Sequence, residues 1–204
     1  MARPVDLEKR AQLAVQAFEV LRARGVAATT MSDLAGELGL KRPTLHYYFR
    51  DLGEVYEAVL DENQRRLRAL AAERLVGVEH PLDLLLAVVR VLHEHYRGRR
   101  DVAILIGQLM AACGSADPDE VVRRGRAFVG PIRQALVERL AAGIESGQVR
   151  DCNPAEVVDL AIAACDGALL GRILRDEDAE PVLIAIEHLI VDPLRTPPKG
   201  RSPR

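Results

Sequence analysis

The chain is 204 residues long, 49% hydrophobic and 28% charged, with a formal net charge of −2 at neutral pH. That length and apolar content can bury a sizeable core, as one long domain or two small ones. A net charge so close to zero excludes nucleic-acid binding by bulk positive charge, so any such contact must come from a local basic patch.

Met1 leads into a polar stretch and an amphipathic helix rather than an apolar run, which predicts no secretory signal and a cytoplasmic protein. Residues 29–50, TTMSDLAGELGLKRPTLHYYFR, then describe two short helices around a tight turn. Thr29 or Thr30 can cap the first helix, its side-chain oxygen accepting from a free backbone amide, and Leu34, Ala35 and Leu38 share one face. Gly39 supplies the positive φ of a sharp turn, and Leu40 plugs the corner. Pro43 favours initiation of the second helix near Arg42, because its missing N–H costs nothing in a first turn. On that helix Leu45 and Phe49 face inward, whereas Thr44, Tyr47 and Tyr48 point elsewhere and His46 lies at the margin. Two adjacent tyrosines cannot both face one core, which argues against a plain interface filler. Together with a threonine and an arginine they suit a DNA major groove, where hydroxyls reach phosphates or base edges and a threonine methyl meets a thymine methyl. Residues 1–50 carry eight basic against five acidic side chains, a balance of +3, so this segment is locally basic and the remainder acidic.

The run of Arg10, Phe18, Gly25, Thr30, Leu34, Ala35, Gly39, Thr44, Leu45 and Phe49 resembles the N-terminal domain of tetracycline-repressor-type (TetR-like) helix-turn-helix regulators. The resemblance implies an all-α protein with a three-helix DNA-binding head at 1–50, a helical ligand-binding and dimerising body at 51–195, and repression of a nearby promoter. It makes Thr30, Ser32, Lys41, Arg42, Pro43, Thr44, His46, Tyr47 and Tyr48 the DNA-binding candidates. His46 stands where the family usually has a tyrosine touching a phosphate or base; histidine can do likewise and adds mild pH dependence. Leu52 stands where the family generally has a lysine that grips a phosphate at the start of the fourth helix, and leucine cannot do that. Asp51 can cap that helix, but its charge opposes a nearby phosphate. Operator affinity is therefore expected to lean on Lys41, Arg42, Arg50 and the arm around Arg3, Lys9 and Arg10.

Beyond the head, helical periodicity recurs without strand signals. A helix from about Asp51 into the mid-seventies carries Val55, Val59, Leu60, Leu67 and Leu70 inward and Arg65, Arg66 and Arg68 near its outer side. GVEHP resets the chain, and two apolar helices follow, Leu82 to Tyr96 and Val102 to Cys113, separated by the basic turn RGRR. The longest uncharged run, from Val102, falls short of the roughly 20 residues that span a bilayer, so no membrane partner is expected. Asp117 and Pro118 start a long helix reaching about Ser146, in which Gly125, Gly130 and Pro131 predict a kink or break, and Gly147 stops it. Asn153 and Pro154 open a helix to about Arg175; Pro181 sits near the start of the last one, which should end before Pro193. The tail from Thr196, with three prolines and three positive charges, is expected to be disordered.

The last two helices are the dimer candidates. Ala161, Ala164, Ala168 and Gly171 form a small-residue ridge, with Leu183, Ile186, Leu189 and Ile190 as bulk; packing of the ridge within one subunit is the other reading. In the resembled family these helices form a four-helix dimer interface, and reading two half-sites needs two heads. Tyr96, Gln108, Met110, Cys113 and Asp166 interrupt apolar helices and are the candidates to bind a small, mostly apolar effector in an aliphatic cavity. Cys113, Cys152 and Cys165 are far apart without CxxC pairing, which predicts reduced thiols and neither zinc nor disulfide. His93 and His95 point about 200° apart on a helix and cannot share a metal, and no phosphate-loop, dinucleotide or nucleophile motif is present. No cofactor is expected, and an all-α enzyme is a remote alternative. The expected protein is a homodimeric repressor of a palindromic double-stranded DNA operator, released by a small molecule. Its rival is a DNA-binding protein of the same fold without an inducer, acting as an activator or answering to a protein partner.

Overall fold

The computed structural model describes residues 6–197, and every regular element among them is helical. The arm at Arg3 and the tail beyond Pro197 lie outside the described residues. The helices are α1 (Leu7–Arg24), α2 (Met31–Glu37), α3 (Arg42–Tyr48), α4 (Leu52–Arg74), α5 (Pro81–Tyr96), α6 (Arg100–Ala116), α7 (Pro118–Glu145), α8 (Pro154–Arg175) and α9 (Glu180–Ile186). A π-helical segment, Glu187–Val191, and a last turn, α10 (Asp192–Leu194), follow.

The fold divides into two compact units: residues through Arg68 with Arg99–Arg124, and Ala69–Gly98 with Gly125–Arg204. The expected boundary after residue 50 follows the three-helix head, whereas the first unit also takes in α6 and most of α4. One tie holding α6 there is the ion pair between Arg22 of α1 and Asp101, 2.8 Å apart. In this unit Leu13, Phe18 and Leu21 of α1, Leu34 of α2, Leu45 of α3, Phe49, and Val55 and Val59 of α4 are all but inaccessible to solvent. Burying a side chain of this kind stabilises by about 1.5–3 kcal/mol. Glu62 of α4 is buried as well, and Arg65 and Arg66 donate to its carboxylate at 2.6–2.7 Å.

The core of the second unit gathers Leu82, Leu85 and Val89 of α5, Leu136 and Leu140 of α7, Val158 and Ala161 of α8, and Leu183, Ile186 and Ile190. Gly143 lets α7 approach its neighbours, since a Cβ there would sit 2.8 Å from both Pro81 and Val149.

Two helix expectations need correcting. Of the kink or break expected in α7, the break is absent, since the helix runs continuously through Gly125, Gly130 and Pro131. A proline removes one i→i−4 bond without ending a helix whose next turns, at Leu136 and Leu140, are locked into a core. The last helix likewise passes Pro193 and ends at Leu194, because the preceding segment widens to a π turn in which Asp192 N–H donates to the Glu187 carbonyl. The wider turn accommodates a residue that has no N–H of its own.

Candidate nucleic-acid interface

Local sequence builds the reading helix. Of the two candidate threonines, Thr30 is the cap: its oxygen accepts from Asp33 N–H at 3.2 Å while the Asp33 carboxylate accepts from Thr30 N–H at 3.0 Å, a reciprocal capping box. Hydrogen bonding from Thr30 holds the Asp33 carboxyl below its ordinary range. Thr29 is buried instead and donates to the Gly25 carbonyl at 2.7 Å. α2 then closes with Gly39 at φ 66°, Gly39 N–H on the Gly36 carbonyl at 3.0 Å and Leu40 N–H on the Ala35 carbonyl at 2.8 Å. This pair of bonds is the Schellman arrangement, which satisfies two orphan carbonyls and turns the chain sharply into α3.

On α3, Leu45 and the following Phe49 are completely buried, and that anchoring decides what faces solvent. Lys41, Arg42, Pro43 and Thr44 are exposed, as is Ser32 on α2; Tyr47 is 43% exposed, and His46 and Tyr48 are half-buried. The two tyrosine rings meet edge to face with centroids 5.1 Å apart. His46 Nδ1 lies 3.0 Å from the Arg50 carbonyl and can donate to it, which leaves Nε2 to accept from Arg42 Nε at 3.3 Å. The histidine therefore steadies an arginine on the exposed side of α3 and ties it to the chain end of the helix.

The other basic residues are differently placed. Arg10 donates from Nε to the Tyr48 carbonyl at 3.2 Å and lies over the Phe49 ring at 4.8 Å, so it clamps the end of α3 from α1. Arg50 is paired with Glu54, which offsets its charge, and Asp51 caps α4 by accepting from Glu54 N–H at 3.0 Å. Leu52 is half-buried at the first position of α4. Of the cations expected to favour operator DNA, Lys41 and Arg42 stand exposed on this head, and Arg42 Nε donates to His46 rather than to a carboxylate.

The residue pattern matches a family model described as "Bacterial regulatory proteins, tetR family" over residues 13–59, the whole of the α2–turn–α3 unit. These residues carry that family's helix-turn-helix pattern. Over 205 residues it is 28% identical to the probable HTH-type transcriptional regulator ArpR of Pseudomonas putida, covering 96% of this chain and 95% of that one. A TetR transcription regulator from Haloarcula marismortui shares its fold at a TM-score of 0.80 and 20% identity, over 93% of this chain and 100% of that one. Another solved relative, from Saccharomonospora viridis in complex with choline, is similar at a TM-score of 0.77 and 16% identity, over 94% and 100% of the two chains. With its helix-turn-helix domain and these likenesses the chain is a transcriptional regulator rather than an enzyme. No helix among its described residues is long and apolar enough to cross a membrane, and no group of three potential metal ligands occurs among them.

The effector candidates are divided between the two compact units. Gln108 is exposed and Met110 half-buried on α6, while Cys113 borders a cleft of about 360 Å³ with Tyr56, Glu57, Asp117 and Glu120. Burial raises the Cys113 thiol pKa, so it is a poor nucleophile. Tyr96 and Asp166 belong to the second unit. Asp166 is exposed on α8, yet its apolar surroundings raise its carboxyl pKa. Tyr96 is buried and borders a cavity of about 30 Å³ shared by α5, α8 and α9. His93 also borders it, a residue weighed above only as a metal ligand; Val89, Leu92 and Tyr96 around it signalled that it faces the buried side of α5.

The dimer candidates divide by burial. Ala161, Gly171, Leu183, Ile186 and Ile190 are buried within the chain itself, and Ala164 and Ala168 are half-buried. A single-chain core needs bulky residues and small ones that let helices approach, so most of both sets pack internally, whereas Leu189 stays 76% exposed. What α8, α9 and the π segment leave exposed are Leu160, Leu170, Leu174, Ile184 and Leu189.

Proposed function

We propose that this regulator is a repressor that binds a palindromic double-stranded operator as a homodimer and releases it when a small, mostly apolar molecule occupies its body. The observation that carries the DNA half is α3, whose Leu45 is buried while Lys41, Arg42, Thr44 and Tyr47 stay exposed behind a capped α2 and a tight glycine turn. In this reading Arg42, Thr44, His46, Tyr47 and Tyr48 enter the major groove, and Thr30, Ser32, Lys41 and Pro43 lie against the backbone. Residues 1–50 act as the reading head and 51–195 as the regulatory body, working in the cytoplasm where the operator is.

Two half-sites call for two heads, and the exposed leucines and isoleucine of α8, α9 and the π segment are the apolar surface available to join two copies. The choline bound by the relative from Saccharomonospora viridis supports a small-molecule effector. Ligand binding would shift α4, which carries residues of both compact units, and change the separation of the heads. A coupling of about 1–3 kcal/mol would lower operator affinity roughly 5- to 150-fold. The test is a fluorescence-anisotropy titration against the gene's own upstream intergenic DNA and a scrambled duplex at several salt concentrations. Selective binding of one dimer per palindrome is expected; equal weak binding to both duplexes would overturn the reading.

A further inference from the structure

His93 is the anomaly of the second unit. Its side chain is 8% exposed, and both ring nitrogens are buried without a hydrogen-bond partner. The nearest carboxylate oxygens, Asp178 Oδ1 and Glu180 Oε2, stand 3.8 and 4.0 Å from Nε2, outside hydrogen-bonding range. A buried polar group without a partner is uncommon in native proteins and calls for a reason, because an apolar residue of similar shape would serve packing as well or better. The cavity beside it measures about 30 Å³ and is lined mainly by aliphatic side chains, with Tyr96, Cys165 and Arg172 beside His93. Leu92, Ala168, Leu169 and Val182 are only partly buried, so the apolar lining continues outward from the enclosed part.

We propose that this cleft between α5, α8 and α9 is the effector site, and that it takes an uncharged amphiphile, an aliphatic chain ending in a hydroxyl, with His93 as the polar anchor. The inference rests on the reading of the chain as a ligand-responsive regulator. At about 30 Å³, against the roughly 10–15 Å³ that one water needs in the same measure, the enclosed part admits a hydroxyl and the carbon that bears it. The hydroxyl can donate to the unprotonated ring nitrogen of His93 or accept from the protonated one, and the chain lies along the partly exposed Leu92, Ala168, Leu169 and Val182. Burial lowers the pKa of His93, with Arg172 acting in the same direction, so the ring is neutral at physiological pH and offers no charge to a carboxylate. Arg172 lines the cavity, but Asp178 reaches it at 3.5 Å and Glu180 stands 4.0 Å from His93, so two carboxylates offset its pull on an anionic head group.

The test titrates the full-length protein with 1-octanol and separately with octanoate, read by calorimetry and by the imidazole nitrogen resonances of His93, in the wild type and in His93→Leu. Octanol is expected to bind the wild type at least tenfold more tightly than octanoate does, to move the His93 resonances, and to lose tenfold or more in affinity for His93→Leu. That variant should melt no lower than the wild type, which separates a lost anchor from a lost fold. Equal octanol affinity for both proteins, tighter binding of octanoate, or no octanol binding would overturn the site. Operator affinity is measured in parallel by anisotropy. Octanol bound at His93 without DNA release keeps the site and removes the ligand-release reading, whereas release that is indifferent to His93 keeps that reading and removes the site.

Discussion

At the scale of single residues, the head combines strong internal order with few unopposed cations. Arg10 and Arg50 hold other parts of the protein, through the Tyr48 carbonyl and Glu54, and Leu52 adds no charge. Leu52→Lys should therefore tighten operator binding and steepen the slope of log affinity against log salt by about 0.9, the value for one added phosphate contact. Anisotropy titrations at several salt concentrations measure both quantities, and unchanged affinity would refute the role assigned to this position. Tyr47→Ala should weaken operator binding tenfold or more, since a base-edge or phosphate contact contributes about 1–3 kcal/mol. The edge contact with Tyr48 that it gives up is worth about 1 kcal/mol or less, which a thermal melt resolves as a shift of a few degrees. Glu62 sets a pH dependence of a different kind. Its hydrogen bond from Arg65 comes first among the causes that hold its carboxyl below the ordinary glutamate range, followed among the favourable ones by that from Arg66. A depressed carboxylate stabilises the fold fully above its unfolded pKa of about 4.3 and loses that contribution as pH falls through the lower folded value. Arg65 is largely solvent-exposed, so the pair is worth only about 1 kcal/mol. Glu62→Gln should cost that amount at pH 7 and almost nothing at pH 3, as denaturant melts at the two pH values would show.

At the scale of elements, Gly39 is the hinge on which recognition depends. A Cβ at this position meets nothing within 4 Å, so its constraint is the backbone alone, held at φ 66°. Gly39→Val should destabilise the head by about 1–2 kcal/mol, and Gly39→Asn, which tolerates the left-handed region, by clearly less. Native-state hydrogen exchange of the α2 and α3 amides would rank the two, and equal effects would mean that the turn relaxes. This turn was legible from sequence because its signals are local: a threonine three residues before Asp33, a glycine in the one place that requires positive φ, and a proline in the next first turn. The facing of α8 was not legible. Ala161 and Gly171 repeat at helical spacing, but spacing identifies a stripe without saying which neighbour covers it, and here the chain's own core does. The continuity of α7 through Pro131 and of the last helix past Pro193 was hidden for a related reason, since packing and a π turn offset penalties that sequence rules count in isolation. His93 escaped because its environment comes from three helices remote in sequence.

At the scale of the whole molecule, the proposed dimer draws on the exposed apolar residues. Leu189 is 76% exposed and Leu174 69%, large apolar side chains that an interface would take out of water. Leu174→Lys with Leu189→Lys should convert a dimer into monomers in sedimentation velocity while leaving helicity unchanged, and should weaken operator binding far more than either change could by charge alone. A double variant that remains dimeric would place the interface elsewhere. α4 imposes a further condition. It is an uninterrupted rod of 23 residues, roughly 34 Å long, with neither glycine nor proline after Gly53, and it supplies residues to both compact units. Such a rod carries an angular phase. One residue added in its middle would turn everything beyond it by about 100° and advance it about 1.5 Å, whereas seven would restore the facing to within about 20°. The length of α4 is therefore a timing mark as much as a distance, and a single-residue insertion there would disturb the regulator more deeply than most substitutions along it.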